Sequence, residues 1–166
     1  MSMKMTMSTD GVAKIERMLK DLGGQANGIA SKGLYDGAGS MTESVRDGAQ
    51  GIKTEKFHYT VFGQRMPSPE EKAIVTGAKG VGVAKFKWGD GDVNTSVGYS
   101  NAGYAMLNGK RKPIPLIANA INSGTSFMKK QAFFRMAVNR GKKSAENAII
   151  KTIEAEIDKM TGGNKA

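Results

Sequence analysis

Apolar residues return at helical spacing in three stretches of the chain. Val12, Ile15, Leu19 and Leu22 mark one face of a predicted helix over Asp10–Leu22, with Asp10 as a cap and Gly23-Gly24 as a stop. Ala30, Leu34, Ala38, Met41, Val45 and Ala49 step by three and four across a longer helix, Ala26–Gln50. Near the end, Ala145, Ile149, Ile153 and Ile157 step by four, and Ala148 and Met160 widen the stripe of an amphipathic helix. That helix is expected to begin as early as Phe133, with Gly141 as its weak point.

Between these stretches the period changes to two. Ala84, Phe86 and Trp88 alternate with Lys85 and Lys87, Gly89–Asp92 makes a turn, and Val93, Thr95, Val97 and Tyr99 alternate back. This predicts a β-hairpin over Val83–Tyr99. Asn108-Gly109 is a second hairpin signal, after a short strand Tyr104–Leu107. Leu116–Ile121 is equally compatible with a strand or a short helix. Met66-Pro-Ser-Pro-Glu70 interrupts any helix, because each proline pushes the residue before it out of the α region. Residues 51–73 therefore read as one mobile loop, of a length that is usually functional. Residues 1–8 and 161–166 are expected to be disordered. The expected architecture is one α+β domain over residues 9–160. In it an antiparallel sheet packs against an N-terminal helical region and the C-terminal amphipathic helix.

Composition sharpens this picture. Five glycines, Gly28, Gly33, Gly37, Gly39 and Gly48, lie inside the second predicted helix, each costing up to about 1 kcal/mol relative to alanine. A helix that tolerates them gains its stability from close packing, which is preferred here to a hinge. There is no cysteine among the 166 residues, which fits a reducing cytoplasm and leaves no disulfide or thiolate site. No apolar run approaches the length of a membrane span, and the N-terminus lacks the apolar core of a secretory signal. The net charge is +10, and nine bases with no acid fall between Lys110 and Lys143. Such a field attracts a polyanion or an acidic protein surface, although a merely solvated face is an equally good reading of it.

Candidate chemistry is sparse. His58 is the single histidine, so a histidine cluster is impossible within one chain, and there is no Gly-x-Ser-x-Gly elbow for a serine nucleophile. Asp90 and Asp92 sit in a turn, Glu70-Glu71 look like a solvated helix start, and Glu154, Glu156 and Asp158 lie beside lysines on a helix. Gly77–Gly82 matches no nucleotide fingerprint, and the element that follows reads as a strand instead of a helix. No catalytic, cofactor or metal residues are assigned.

The segment Ile121–Ala137 is the most informative. It joins a Gly124-Thr125 break, the aromatic Phe127, the pair Lys129-Lys130, and the run Phe133-Phe134-Arg135-Met136-Ala137 that enters the last helix. Phe127 with Phe133 or Phe134 is expected to anchor this crossing on the sheet, with Arg135 and the lysines outward. In this arrangement the chain resembles the Hong Kong phage gene-product-ten family of siphophage morphogenesis proteins. Members show a Gly-Thr after a strand and a Pro-Phe-hydrophobic-Arg-x-Ala entry into a C-terminal helix. Ala132 stands where proline is usual, and Asn122-Ser123 where an acid often precedes the Gly-Thr. The order of an Ala/Gly-rich helix, a loop and a Val93–Gly98 strand is also similar, over about residues 10–160. Tyr104–Arg111 and Ser123–Phe127 look like versions carried by phages and prophages of Gram-positive bacteria.

The resemblance implies a structural subunit of the virion neck or tail, made in the host cytoplasm. It would form a homo-oligomeric ring, with a hexamer as the candidate stoichiometry, that joins head to tail beside neck and tail-tube proteins, without cofactor or membrane. Lys110, Arg111, Lys112, Lys129, Lys130 and Arg135 are the candidate contacts to a partner or to genome DNA. The competing reading, from the charge alone, is a free nucleic-acid-binding protein.

Overall fold

The computed structural model describes residues 2–5, 25–55, 63–89 and 92–162. Within them, four helices and two small antiparallel sheets make an α+β fold. The predicted helix Asp10–Leu22 and His58 lie outside the described residues.

Helix α1 runs Ala26–Gln50, as the periodicity predicts, and α4 runs Phe133–Gly162 without a break. The two lie antiparallel, because Gly33 faces Ile153, Gly37 faces Ile149 and Gly48 faces Ala137. A methyl placed on Gly33 would lie 2.7 Å from Ile153 Cγ1. The supposed weak point of α4, Gly141, is another such contact: a Cβ there would meet Ser44 at 2.5 Å. These glycines let two helices approach more closely than side chains allow. Beside the seam, Lys32 pairs with Glu156 at 2.8 Å, and the Thr152 hydroxyl donates to Asp36 at 2.6 Å.

The flank of α1 next to this seam buries Leu34, Ala38, Val45 and Ala49, with Met41 reaching the seam at Gly141, and α1 also packs on the larger sheet. In that sheet β4 (Asp92–Gly98) is central. β1 (Ser2–Met5) pairs along one edge, and β2 (Gly82–Val83) and β3 (Lys87–Gly89) pair along the other. The disorder expected for residues 1–8 is thus corrected for Ser2–Met5. An edge of β4 offers a row of backbone donors and acceptors, and pairing with it orders a segment that has little propensity of its own. The hairpin is present, but its first strand is broken. Val83 faces Val97 while Lys87 faces Asn94, so three residues oppose two and the strand bulges at 84–86.

The loop expected over 51–73 needs a second correction, since α2 (Pro69–Thr76) begins inside it. Ser68 caps α2, with its hydroxyl accepting from the Glu71 amide and the Glu71 carboxylate accepting from the Ser68 amide. Ser-x-x-Glu is a capping box, and Pro69 suits a first turn that lacks amide partners.

β5 (Tyr104–Leu107) and β6 (Lys110–Pro113) form the second sheet. Their turn has φ 52° at Asn108 and 71° at Gly109, as the Asn-Gly signal requires. Gly109→Ala is expected to cost about 1 kcal/mol, measured as a lower urea midpoint, because an L side chain resists that φ. The ambiguous stretch after it is helical. α3 (Ile114–Ser123) buries Ile114, Ile117, Ala118 and Ile121 at helical spacing.

Candidate functional site

The crossing from α3 to α4 is built almost entirely from residues of the motif. Gly124 has φ 77°, and a Cβ there would press on the Lys130 backbone, with its nitrogen 3.1 Å away. Only glycine meets both conditions without strain. The Thr125 hydroxyl accepts from the amides of Phe127 (3.2 Å) and Met128 (3.0 Å), closing a tight turn. The Phe133 and Phe134 rings then pack on Tyr99 at centroid distances of 5.8 and 6.0 Å. Tyr99 is fully buried and donates its hydroxyl to the Val75 carbonyl at 3.2 Å, and burial pushes its phenol well above the usual value. Ala137 fits against Gly48.

Phe127 departs from the expectation. It is 73% exposed, and Met128 beside it takes the buried place at 4%. The parallel bridge of Arg65 with Met128 decides this (Arg65 N to Phe127 O 2.7 Å, Lys129 N to Arg65 O 2.9 Å). Successive side chains of an extended segment point to opposite sides, so seating Met128 turns Phe127 outward.

Two polar residues finish the joint. Asn122 Oδ1 accepts the Phe134 amide at 3.1 Å, satisfying one of the unpaired N–H groups at the start of α4. The Gln131 side chain accepts from the Lys53 amide and donates to the Lys53 carbonyl, both at 2.8 Å, tying the end of α1 to the start of α4. Asn122→Ala is expected to lower stability by about 1 kcal/mol in urea titrations, the usual loss for a cap.

Arg65 is not among the sequence candidates, yet it forms a two-point ion pair with Glu71 at the joint. Arg65 donates through both terminal nitrogens to the two Glu71 oxygens at 2.6 Å, and the Glu71 side chain is 7% exposed. The expected solvated character of Glu71 is thereby corrected. Burial works against its charge, but hydrogen bonds from Arg65 and Ser68 outweigh it and hold the carboxyl below its usual range. The Ser68-x-x-Glu71 box was the available signal.

The six predicted basic contacts lie on three parts of the chain. Lys110, Arg111 and Lys112 lie on β6, ahead of α3, whereas Lys129 and Lys130 follow it, and Arg135 is exposed on the first turn of α4. α3 has 10 residues and so spans about 15 Å. Arg111 lies 4.4 Å over the exposed Tyr104 ring, a cation–π pair. A cleft of about 440 Å³ opens over Gly124 and Thr125, and the titratable groups lining it are Lys129 and Lys130, which suit contact with an anion. Among the described residues no three His, Cys, Asp or Glu side chains stand together as a metal site requires, and no helix is long and apolar enough to cross a membrane. Comparison with protein-family models, curated proteins and solved structures gives no match to this chain.

Proposed function

We propose that this protein is a structural assembly subunit without catalytic chemistry, a neck or tail-completion component that joins the head and tail of a tailed phage or prophage. It works as a homo-oligomeric ring between neighbouring neck and tail-tube proteins, in the virion and, before that, in the host cytoplasm. The observation that carries this reading is the use of the motif. Gly124, Thr125, Phe133, Phe134 and Ala137, which bear the resemblance, are all engaged in holding the crossing together. They serve a scaffold and present no reactive group. The exposed apolar side chains Tyr104, Met106, Phe127 and Met136 add support, as surfaces a partner would cover.

A second reading, free nucleic-acid binding, is favoured by Lys110, Arg111 and Lys112 on a two-stranded ribbon, a shape the DNA major groove admits. Titration of a labelled duplex by fluorescence anisotropy separates the two. Assembly predicts only non-specific binding at physiological salt, with a dissociation constant of about 10⁻⁴–10⁻⁶ M and a steep salt slope. A value below about 10⁻⁸ M for a defined sequence belongs to specific binders and would replace the assembly reading.

A further inference from the structure

Two exposed surfaces of this chain carry opposite charge that nothing within the described residues neutralises. The first is one face of the β5–β6 ribbon. The register places Met106 opposite Arg111 and Tyr104 opposite Pro113, so Tyr104, Met106 and Arg111 share a face. Tyr104 is 58% and Met106 59% exposed, and no further strand joins this sheet among the described residues. Lys110 and Lys112, opposite Leu107 and Ala105, stand on the ribbon's other face and add to its positive field, and none of the three bases enters an ion pair among the described residues.

The second surface is the outer side of α1. Tyr35, Asp36, Gly39, Glu43 and Asp47 fall within about 120° of the helix circumference, turned away from the buried stripe. Tyr35 is 65% exposed. Asp36, Glu43 and Asp47 enter no ion pair among the described residues, although Asp36 accepts the Thr152 hydroxyl. Of the bases on that side, Lys32 is paired with Glu156 and Arg46 donates to the Ala78 carbonyl, so three carboxylates stand against one uncancelled guanidinium. The surface is therefore acidic in a protein of net charge +10.

We infer that these two surfaces meet between copies: the β5–β6 ribbon of one subunit docks on the outer face of α1 of the next. Tyr104 and Met106 lie against the Tyr35 side, and Arg111 faces Glu43 and Asp47. The inference rests on the assembly reading above and names its contact. Tyr, Met and Arg are the residue types enriched where proteins meet, which favours a protein over nucleic acid on the ribbon's apolar face. Two different patches of one chain that complement each other make a head-to-tail contact, the kind that closes into a ring when the rotation allows.

The test uses the absence of native cysteine. The chain carrying Met106→Cys and Gly39→Cys is oxidised mildly at high concentration and run without reductant. A covalent ladder that needs both cysteines is expected. Lys110→Glu with Arg111→Glu and Lys112→Glu should abolish the ladder and the oligomer, and so should Asp36→Lys with Glu43→Lys and Asp47→Lys. An equimolar mixture of the two triple variants should restore the wild-type mass, because each reversed patch then meets its opposite. Circular dichroism checks that each variant remains folded. A wild-type oligomer whose mass survives both reversals would overturn this contact and leave the ring reading standing. A monomer that yields no ladder would overturn the contact as well. If that monomer also bound duplex DNA, and lost binding on ribbon reversal, the ring reading would fall with it.

Discussion

Gly48→Val is expected to destabilise the isolated chain by at least about 3 kcal/mol, the upper part of the range for an overfilled core. Gly39→Ala, nine residues earlier on the same helix, is expected to stabilise it by up to about 1 kcal/mol. The signs differ because the surroundings do. A Cβ on Gly48 runs into Ala137 Cβ, with the Ala137 Cα at 3.3 Å behind it, so the obstacle includes the backbone of α4. No rotamer relieves that contact, and the two helices must part. A Cβ on Gly39 has no atom within 4 Å and brings only the helix propensity that glycine lacks. Urea midpoints of the two variants check both signs in one experiment. Equal shifts would mean that the seam between α1 and α4 is not as close as described.

The second large effect concerns the Arg65–Glu71 pair. Arg65→Met is expected to lower stability near pH 7 by about 2 kcal/mol. That is less than the ~3–5 kcal/mol of a fully buried pair, because Arg65 keeps 29% exposure. Glu71 then stays buried with the Ser68 amide in place of a full counter-charge. The pH dependence has a definite sign. The Glu71 carboxyl in the folded chain is held below its ordinary value, so its contribution is present above about pH 4.5 and fades as pH falls through the lower, folded value. The gap between wild type and Arg65→Met should therefore be full at neutral pH and shrink in acid. Denaturation midpoints at pH 7 and pH 3.5 measure it, and a gap unchanged in acid would exclude the ion pair as its source.

What was legible in the sequence follows from how local each signal is. The face of α1 repeats over seven turns, and the Asn108-Gly109 turn needs only its own two residues, so both appear where expected. α4 also starts at Phe133, but the reason Gly141 does not break it lies more than ninety residues away, at Ser44. β1 is not legible locally, because its order comes from the edge of β4. Glu70-Glu71 are legible as a helix start, but a loop drawn through residue 73 overruns α2, because a proline that breaks a helix interior is at home in the first turn that Pro69 occupies. Within the joint, Gly124, Phe133 and Phe134 were readable as a turn and an anchor. Which of Phe127 and Met128 is buried depends on a bridge to Arg65, some sixty residues earlier, which no local pattern records. The bases between Lys110 and Lys143 are neighbours in sequence, but α3 stands between those on β6 and those that follow it.

Mass in solution tests the central claim most directly, measured by light scattering on a size-exclusion column at about 0.1 M and 1 M salt without nucleic acid. The assembly account predicts a concentration-dependent shift from the 17.7 kDa chain to one discrete multiple of it. That multiple should be weakened by high salt in so far as the ribbon and α1 charges hold it, and kept in so far as Tyr35, Tyr104 and Met106 do. A chain that stays at 17.7 kDa at every concentration, and also binds a defined DNA sequence below about 10⁻⁸ M, would contradict it.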